Sequence, residues 1–182
     1  MEEPGSDDEA KSTPVANELR RLIKNGNLQR DPVINLALFS AARRELWLYK
    51  IKPALERGAI VLSARNYLST LAYQGYGEGL DEDEIIRMTT CFTGPRYLTP
   101  DCLIVLALDD AARYDRIAKR GGAIDTDTFE SRDEQFQRRV NHAYRELADR
   151  YHAVLIDASQ PVEAVTEAVW RQVKDVLGDH GN

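Results

Sequence analysis

Cysteine is scarce: Cys91 and Cys102 are the only two among 182 residues, and they form no C-x-x-C pair or metal-ligand spacing. That speaks against a disulfide framework or a zinc module and suits a reduced, cytoplasmic setting. Both thiols are expected to be buried as small hydrophobes, and no metal-ligating residues are assigned. No run of 18 apolar residues occurs, and the acidic N-terminus has no apolar stretch of the kind a signal segment needs. A membrane span and secretion are therefore not expected. Positive charge is the minority sign, 24 Lys and Arg against 30 Asp and Glu, for a net −6. A nucleic-acid binder would show a basic surface, so the cationic side chains here are expected to act locally. There is no internal repeat and no long low-complexity segment.

What the chain does have is an ordinary globular composition, 43% apolar and 30% charged. Its length suits one domain over residues 1–182 with a substantial core. Residues 1–14 are acidic and rich in Gly, Ser and Pro, and read as a loop or tail. Val15, Leu19, Leu22 and Ile23 fall on one side of a helix over 15–24, stopped by Asn25-Gly26. From Pro32 a helical rhythm of Ile34, Leu38, Ala41, Ala42, Leu46, Tyr49 and Leu55 runs to Gly58, with Pro53 bending or ending it. Continuous apolar runs at 59–64, 101–108 and 153–157 read as buried parallel strands. Helical patterns at about 81–92, 110–120, 130–151 and 161–177 lie between and after them. This alternation gives an α/β domain with a parallel sheet. Ligands of such sheets lie off the carboxyl ends of the strands, which here carry Arg65-Asn66, Asp109-Asp110 and Asp157-Ala158-Ser159.

Several segments carry chemistry. Phe39 and Arg43 are four apart and share a helix face. A base can stack on such a ring while the guanidinium donates to an exocyclic carbonyl; a core Phe beside a surface Arg fits the spacing too. Arg65 suits bidentate phosphate binding, or simply faces solvent. Ser69-Thr70-Leu71-Ala72-Tyr73-Gln74-Gly75 also fits a helix start capped by Ser69 or Thr70, with Tyr73 packed inward. Gly75, Gly77 and Gly79 make a flexible turn, not a dinucleotide fingerprint. Lys119-Arg120-Gly121-Gly122 through Asp127-Thr128-Phe129-Glu130 is a cationic loop followed by Arg132. His142 reads as a surface or packing residue, and Asp157 as a strand-end cap.

Taken together, F-S-A-A-R (39–43), Ala64-Arg65-Asn66, S-T-L-A-Y-Q-G (69–75), the 119–132 loop and residues 133–148 resemble the thymidylate kinase family of P-loop nucleoside monophosphate kinases. The resemblance covers nearly the whole chain. It implies a three-layer fold, a parallel sheet flanked by helices. It also implies Mg2+-assisted transfer of the ATP γ-phosphate to dTMP, giving dTDP, by a homodimer. By resemblance Phe39 stacks on thymine, Arg43 reaches its carbonyl, Thr70 bonds the base edge and Tyr73 crowds the sugar 2′ position. Gln74 contacts the base or steadies the loop, and Arg65 holds the acceptor phosphate. Arg65, with Lys119, Arg120 and Arg132 of a lid over 119–132, would form the catalytic cations. Ala158, Ser159 and Gln160 resemble the loop that backs the adenine of ATP, and the apolar helix 34–51 serves as a dimer interface or as core.

The chain departs from the family in places. Ala42 replaces the Asp of F-x-x-D-R, Ala64 the Asp of D-R-[YH], and Thr128 the Arg of D-R-F-E. A family member opens with a strand and a G-x-x-x-x-G-K-[ST] phosphate loop, a run these residues do not contain. Met1-Glu2-Glu3-Pro4-Gly5 is similar to the family's R-E-P-G segment after the second strand. On that alignment the first strand and phosphate loop are missing from this chain and are expected upstream of Met1. The same departures fit two other functions: a non-catalytic deoxynucleotide-binding relative, or a kinase for another deoxynucleoside monophosphate.

Overall fold

The computed structural model describes residues 13–109 and 132–179, together with Ala112 and Phe129. Readings made for the remainder, including the R-E-P-G-like segment, a helix over 110–120, Lys119 and Arg120, lie outside the described residues.

Helix α1 (Pro14–Lys24) starts where Thr13 Oγ1 accepts the Ala16 N–H at 3.1 Å and Pro14 occupies the first turn; Arg21 and Lys24 face the negative end of its dipole. Its buried residues are Ala16 and Ile23, while Val15 and Leu22 point outward, so the apolar face is rotated from the one expected. Packing on α2 selects the 16/23 line, two turns apart.

Helix α2 (Pro32–Leu46) is capped by Asp31, whose carboxylate accepts the Val33 N–H at 2.8 Å. The helix continues as a π-helical turn (Trp47–Ile51) and then α3 (Lys52–Glu56), so Pro53 does not end it. The wider turn, in which Lys52 N–H reaches Trp47 O, makes room for a proline that has no N–H to give and whose ring would crowd the preceding turn. The rhythm from Ile34 to Tyr49 is also corrected. Leu36, Ala42 and Leu46 are buried along with the polar Asn35, Ser40 and Arg43, and Ile34 and Tyr49 are exposed.

Gly58, at φ +72°, ends this stretch, and residues 59–64 do not form the expected strand. Ile60 and Leu62 are 66% and 65% exposed. Apolar residues alone do not make a strand; its backbone needs a hydrogen-bonding edge, and among the described residues none lies beside this one. The described sheet has two strands, β1 (Ile104–Ala107) and β2 (Val154–Asp157), parallel and in register from Ile104↔Val154 to Ala107↔Asp157.

Helix α4 (Tyr67–Thr70) runs directly into a π-helix (Leu71–Gly77), followed by α5 (Glu82–Thr93) and a 3-10 turn (Pro95–Leu98). Helix α6 (Glu134–Arg150) crosses between the strands, and α7 (Val162–Asp179) closes the described chain. On α6, Phe136, Val140, Ala143 and Leu147 form one buried stripe at helical spacing. That stripe packs with Tyr67, Leu68, Leu71, Ala72, Ile85 and Val105 in the main core. A smaller cluster joins Leu46, Trp47 and Ile51 to Val61 and Tyr97.

The thiols do not take the buried roles expected. Cys91 is exposed and Cys102 half-buried, because α5 turns Ile85, Thr89 and Thr93 inward and Cys91 away. His142 sits exposed beside Glu146 on α6, as a surface residue.

Candidate functional site

Two helices build the site. Asn66, not Ser69 or Thr70, caps the first, its Oδ1 accepting the Leu68 N–H at 2.9 Å. Ser69 and Thr70 are thereby released for tertiary bonds: Ser69 accepts from the Tyr144 hydroxyl at 2.8 Å, and Thr70 Oγ1 accepts from Arg43 Nη2 at 2.8 Å. Widening to a π-helix over 71–77 keeps residues four and five apart on one side, so Thr70, Gln74 and Glu78 line up.

Arg43 is the largest fully buried side chain, 1% exposed. Besides the Thr70 bond its guanidinium lies 5.8 Å from the Tyr97 ring centroid, within cation–π range. Among the described residues its Nε and Nη1 have no hydrogen-bond partner and no carboxylate pairs with it. A buried guanidinium with two unmatched N–H donors carries a desolvation cost.

One turn before Arg43 on α2, Phe39 belongs to an aromatic wall. Phe129 packs on Phe39 and on Tyr73, with centroids 5.8 Å apart in both pairs, and Tyr73 also meets Phe136 at 6.2 Å. Arg65, exposed at the start of this helix, sets its guanidinium 5.3 Å from the Tyr73 ring centroid, with Nη2 3.4 Å from the Tyr73 hydroxyl. Phe39, Arg43, Arg65, Thr70 and Tyr73 are thus gathered by direct contacts, in two groups joined through the 67–77 helices.

Gln74 is fully buried and donates through Nε2 to Glu78 Oε2 at 3.3 Å. Glu78 Oε1 also accepts from Asn35 Nδ2 at 2.8 Å and from Arg132 Nη2 at 3.0 Å. Burial pushes the Glu78 carboxyl above its ordinary pKa, opposed by the bonds from Asn35 and Gln74 and by the charges of Arg132 and Arg30. Arg132, expected as a lid cation, is therefore paired with Glu78 and stacked on Phe136, its Cζ 5.4 Å from that centroid.

The 158–160 turn stands apart from this cluster at the carboxyl end of β2. Asp157 accepts from the Ser159 N–H at 2.9 Å and from Gln160 Nε2 at 3.1 Å; hydrogen bonding from the Ser159 side chain first, then from these two, holds its pKa below the usual carboxylate value. Asp157 is the cap expected, and it orders the backbone of Ala158, Ser159 and Gln160. On β1, Asn141 and Arg145 of α6 both donate to the Leu108 carbonyl, fixing that strand end.

Sequence reasoning passed over Phe129, Glu78 and Asn35 as site residues. Phe129 stood inside the quoted D-T-F-E run with no role of its own. Glu78 had one available signal, a lone acid between Gly77 and Gly79 after an apolar helix. Asn35 had a similar one, a polar residue inside an apolar run.

Comparison with known proteins gives the family. A family model described as thymidylate kinase matches residues 6–169. The thymidylate kinase of Deinococcus radiodurans is 33% identical over 165 residues, covering 90% of this chain and 78% of that one. That of Thermomicrobium roseum is 39% identical over 168 residues, covering 91% and 77%. The crystal structure of thymidylate kinase from Ehrlichia chaffeensis shares the fold with a TM-score of 0.70 at 24% identity, over 96% of this chain and 79% of that chain. With its model matched over most of its length, this chain belongs to the thymidylate kinase family of phosphotransferases.

Proposed function

We propose that the chain binds dTMP in the cluster around Arg43 and phosphorylates it to dTDP with ATP as donor. The observation that carries the reading is the buried Arg43 guanidinium with two unmet N–H donors, on the helix that one turn earlier gives Phe39 to the Phe39–Phe129–Tyr73 wall. A thymine ring matches both features: a planar face for Phe39 and carbonyl oxygens for Arg43. Thr70 already accepts from Arg43, so its own hydroxyl proton remains to donate to the base edge. Tyr73 narrows the space at the sugar, and Arg65 beside it takes the acceptor phosphate.

Phosphoryl transfer asks the protein mainly for positioning and charge screening. Arg65 orients the attacking phosphate, and Lys119 and Arg120 of the 119–132 lid meet the negative charge on the transferred group. Arg132 acts through its place at the lid's end, held by Glu78. The Asp157-ordered turn of Ala158, Ser159 and Gln160 offers backbone groups to adenine. Magnesium, when bound, neutralises donor phosphate charge; among the described residues no three His, Cys, Asp or Glu side chains cluster. The ion would then be held chiefly by phosphates and water.

Ile34 and Tyr49, exposed on one side of the 32–51 helix, supply the face for a homodimer in the cytoplasm. Among the described residues no helix is long and apolar enough to cross a membrane.

An ADP-release assay with dTMP, dUMP and dGMP, run beside calorimetric binding, tests the reading. Turnover with dTMP preferred supports it. Turnover with dGMP preferred points to a different base specificity, and dTMP binding without ADP release supports the binding-only alternative.

A further inference from the structure

Glu78 lies at a junction of four parts of the chain. Arg30 closes the end of α1 through the Leu22, Ile23 and Asn25 carbonyls, and its Nε donates to Asn35 Oδ1 at 2.9 Å. Asn35, with its oxygen so engaged, turns its Nδ2 to Glu78 at 2.8 Å. Gln74 comes from the π-helix, and Arg132 from the residues leading into α6. The Glu78 side chain is only 3% exposed.

An ionised carboxylate accepts hydrogen bonds and donates none. Every neighbour must therefore present an N–H to Glu78, and the observed donors, two amides and a guanidinium, do so. For Gln74 this removes a freedom that an amide otherwise has. One N–H of its NH2 is given to Glu78, which leaves its carbonyl oxygen, at the other corner of the same amide, as an acceptor on the helix that also carries Thr70 and Tyr73. A side-chain amide held this way can receive an N–H from a ligand and cannot give one through that oxygen.

We propose that Glu78 is a specificity-positioning residue: it holds Gln74 as a hydrogen-bond acceptor, so the site takes a pyrimidine with a ring N–H and disfavours one with a bare ring nitrogen. The inference rests on the reading of the Arg43 cluster as the base site. Thymine carries an N3–H between two carbonyls, whereas cytosine has an unprotonated N3 beside an amino group. Arg43 judges the exocyclic oxygen; Gln74, set by Glu78, judges the ring nitrogen. Arg132 supplies the charge that accompanies the buried carboxylate.

The test compares dTMP and dCMP binding to the full chain by titration calorimetry, in the unmodified protein, Glu78→Gln and Glu78→Asp. A glutamine at 78 can donate or accept, so Gln74 becomes free to flip. The expected result is a dTMP-over-dCMP ratio lowered about tenfold, with dTMP weakened and dCMP not. Glu78→Asp, still acceptor-only, is expected to keep most of the ratio. A purely structural role would weaken both ligands together and leave the ratio alone, and that result overturns the proposal. An unchanged ratio with intact dTMP binding overturns it as well, while leaving the base site standing. An unmodified chain that binds dTMP and dCMP equally, or neither, overturns the base-site reading and this proposal with it.

Discussion

Arg43 and Thr70 meet 2.8 Å apart inside the protein, a guanidinium giving one N–H to a hydroxyl on a different helix. Among the described residues the rest of that guanidinium is buried without a carboxylate and with Nε and Nη1 unmatched. Such an arrangement costs stability in the protein as it stands.

Replacing Arg43 with methionine keeps a long apolar-compatible side chain and removes the unmatched donors. Arg43→Met is expected to melt at the same or a higher temperature than the unmodified protein while losing dTMP affinity by about 100-fold or more, in line with a charged hydrogen bond at a buried site. Differential scanning calorimetry paired with dTMP titration checks this. A large loss of thermal stability would mean that Arg43 is held for the fold, not for a ligand.

Gly77 leaves no room for a side chain. A Cβ there would stand 2.6 Å from Phe136 Cε2 and 2.8 Å from its Cζ, both in the centre of the core. Gly77→Ala is therefore expected to destabilise by roughly 1–3 kcal/mol through overpacking, read from urea denaturation midpoints. Adding Phe136→Leu, which removes the clashing ring edge, should return part of that loss; strict additivity of the two changes would contradict a direct contact.

Burial raises the Glu78 carboxyl pKa despite its bonds to Asn35, Gln74 and Arg132 and the nearby Arg30 charge. A carboxyl raised in the folded state stabilises the fold when protonated, and that contribution is lost as pH climbs through the folded value. At neutral pH the ionised group thus works against folding, and its desolvation outweighs the ion pair. Glu78→Gln is expected to melt at an equal or higher temperature near pH 7, with the difference shrinking toward about pH 4 as Glu78 itself takes up a proton. A markedly lower melting temperature at neutral pH would show that the Arg132 pair dominates instead.

Two phenols set an alkaline limit. Burial, with the Tyr97 hydroxyl nearby, pushes Tyr67 up to about 12. Tyr151 is raised too, by burial and then by its hydrogen bond to Glu82, whose Oε1 lies 2.7 Å from the phenol oxygen. Both stay protonated in the fold after they would ionise in the unfolded chain, so their contribution is complete below about pH 10 and falls away above it. Denaturation midpoints are expected to be level up to about pH 9 and to drop by pH 11. Tyr67→Phe should soften that drop, and an identical drop in the variant would remove Tyr67 from the explanation.

Much of the fold and of the candidate cluster was legible in the sequence. The helices expected at about 81–92, 130–151 and 161–177 are observed as Glu82–Thr93, Glu134–Arg150 and Val162–Asp179, and the two observed strands fall within the runs 101–108 and 153–157, whereas the cap expected at Ser69 or Thr70 falls on Asn66. The residues proposed for base and sugar, Phe39, Arg43, Thr70 and Tyr73, lie in short motifs where spacing and identity act locally. Other features were not legible. The 59–64 run looked like a strand because its residues are apolar, yet strand formation depends on a hydrogen-bonding neighbour that composition does not report. Phe129 needed the return of the chain to Phe39 and Tyr73 before its ring had a purpose.

By itself the sequence determined what is local: the alternation of helix and strand, the motif residues that carry family membership, and a net charge of −6. Tertiary structure alone decided what depends on partners far along the chain. It chose which face each helix buries, widened two helices into π-turns, and left Arg43 without an acid. It also gave Glu78 to Asn35, Gln74 and Arg132. The physical reason is range: propensity and capping act over a few residues, whereas burial and the matching of hydrogen bonds are settled only when distant segments share one interior.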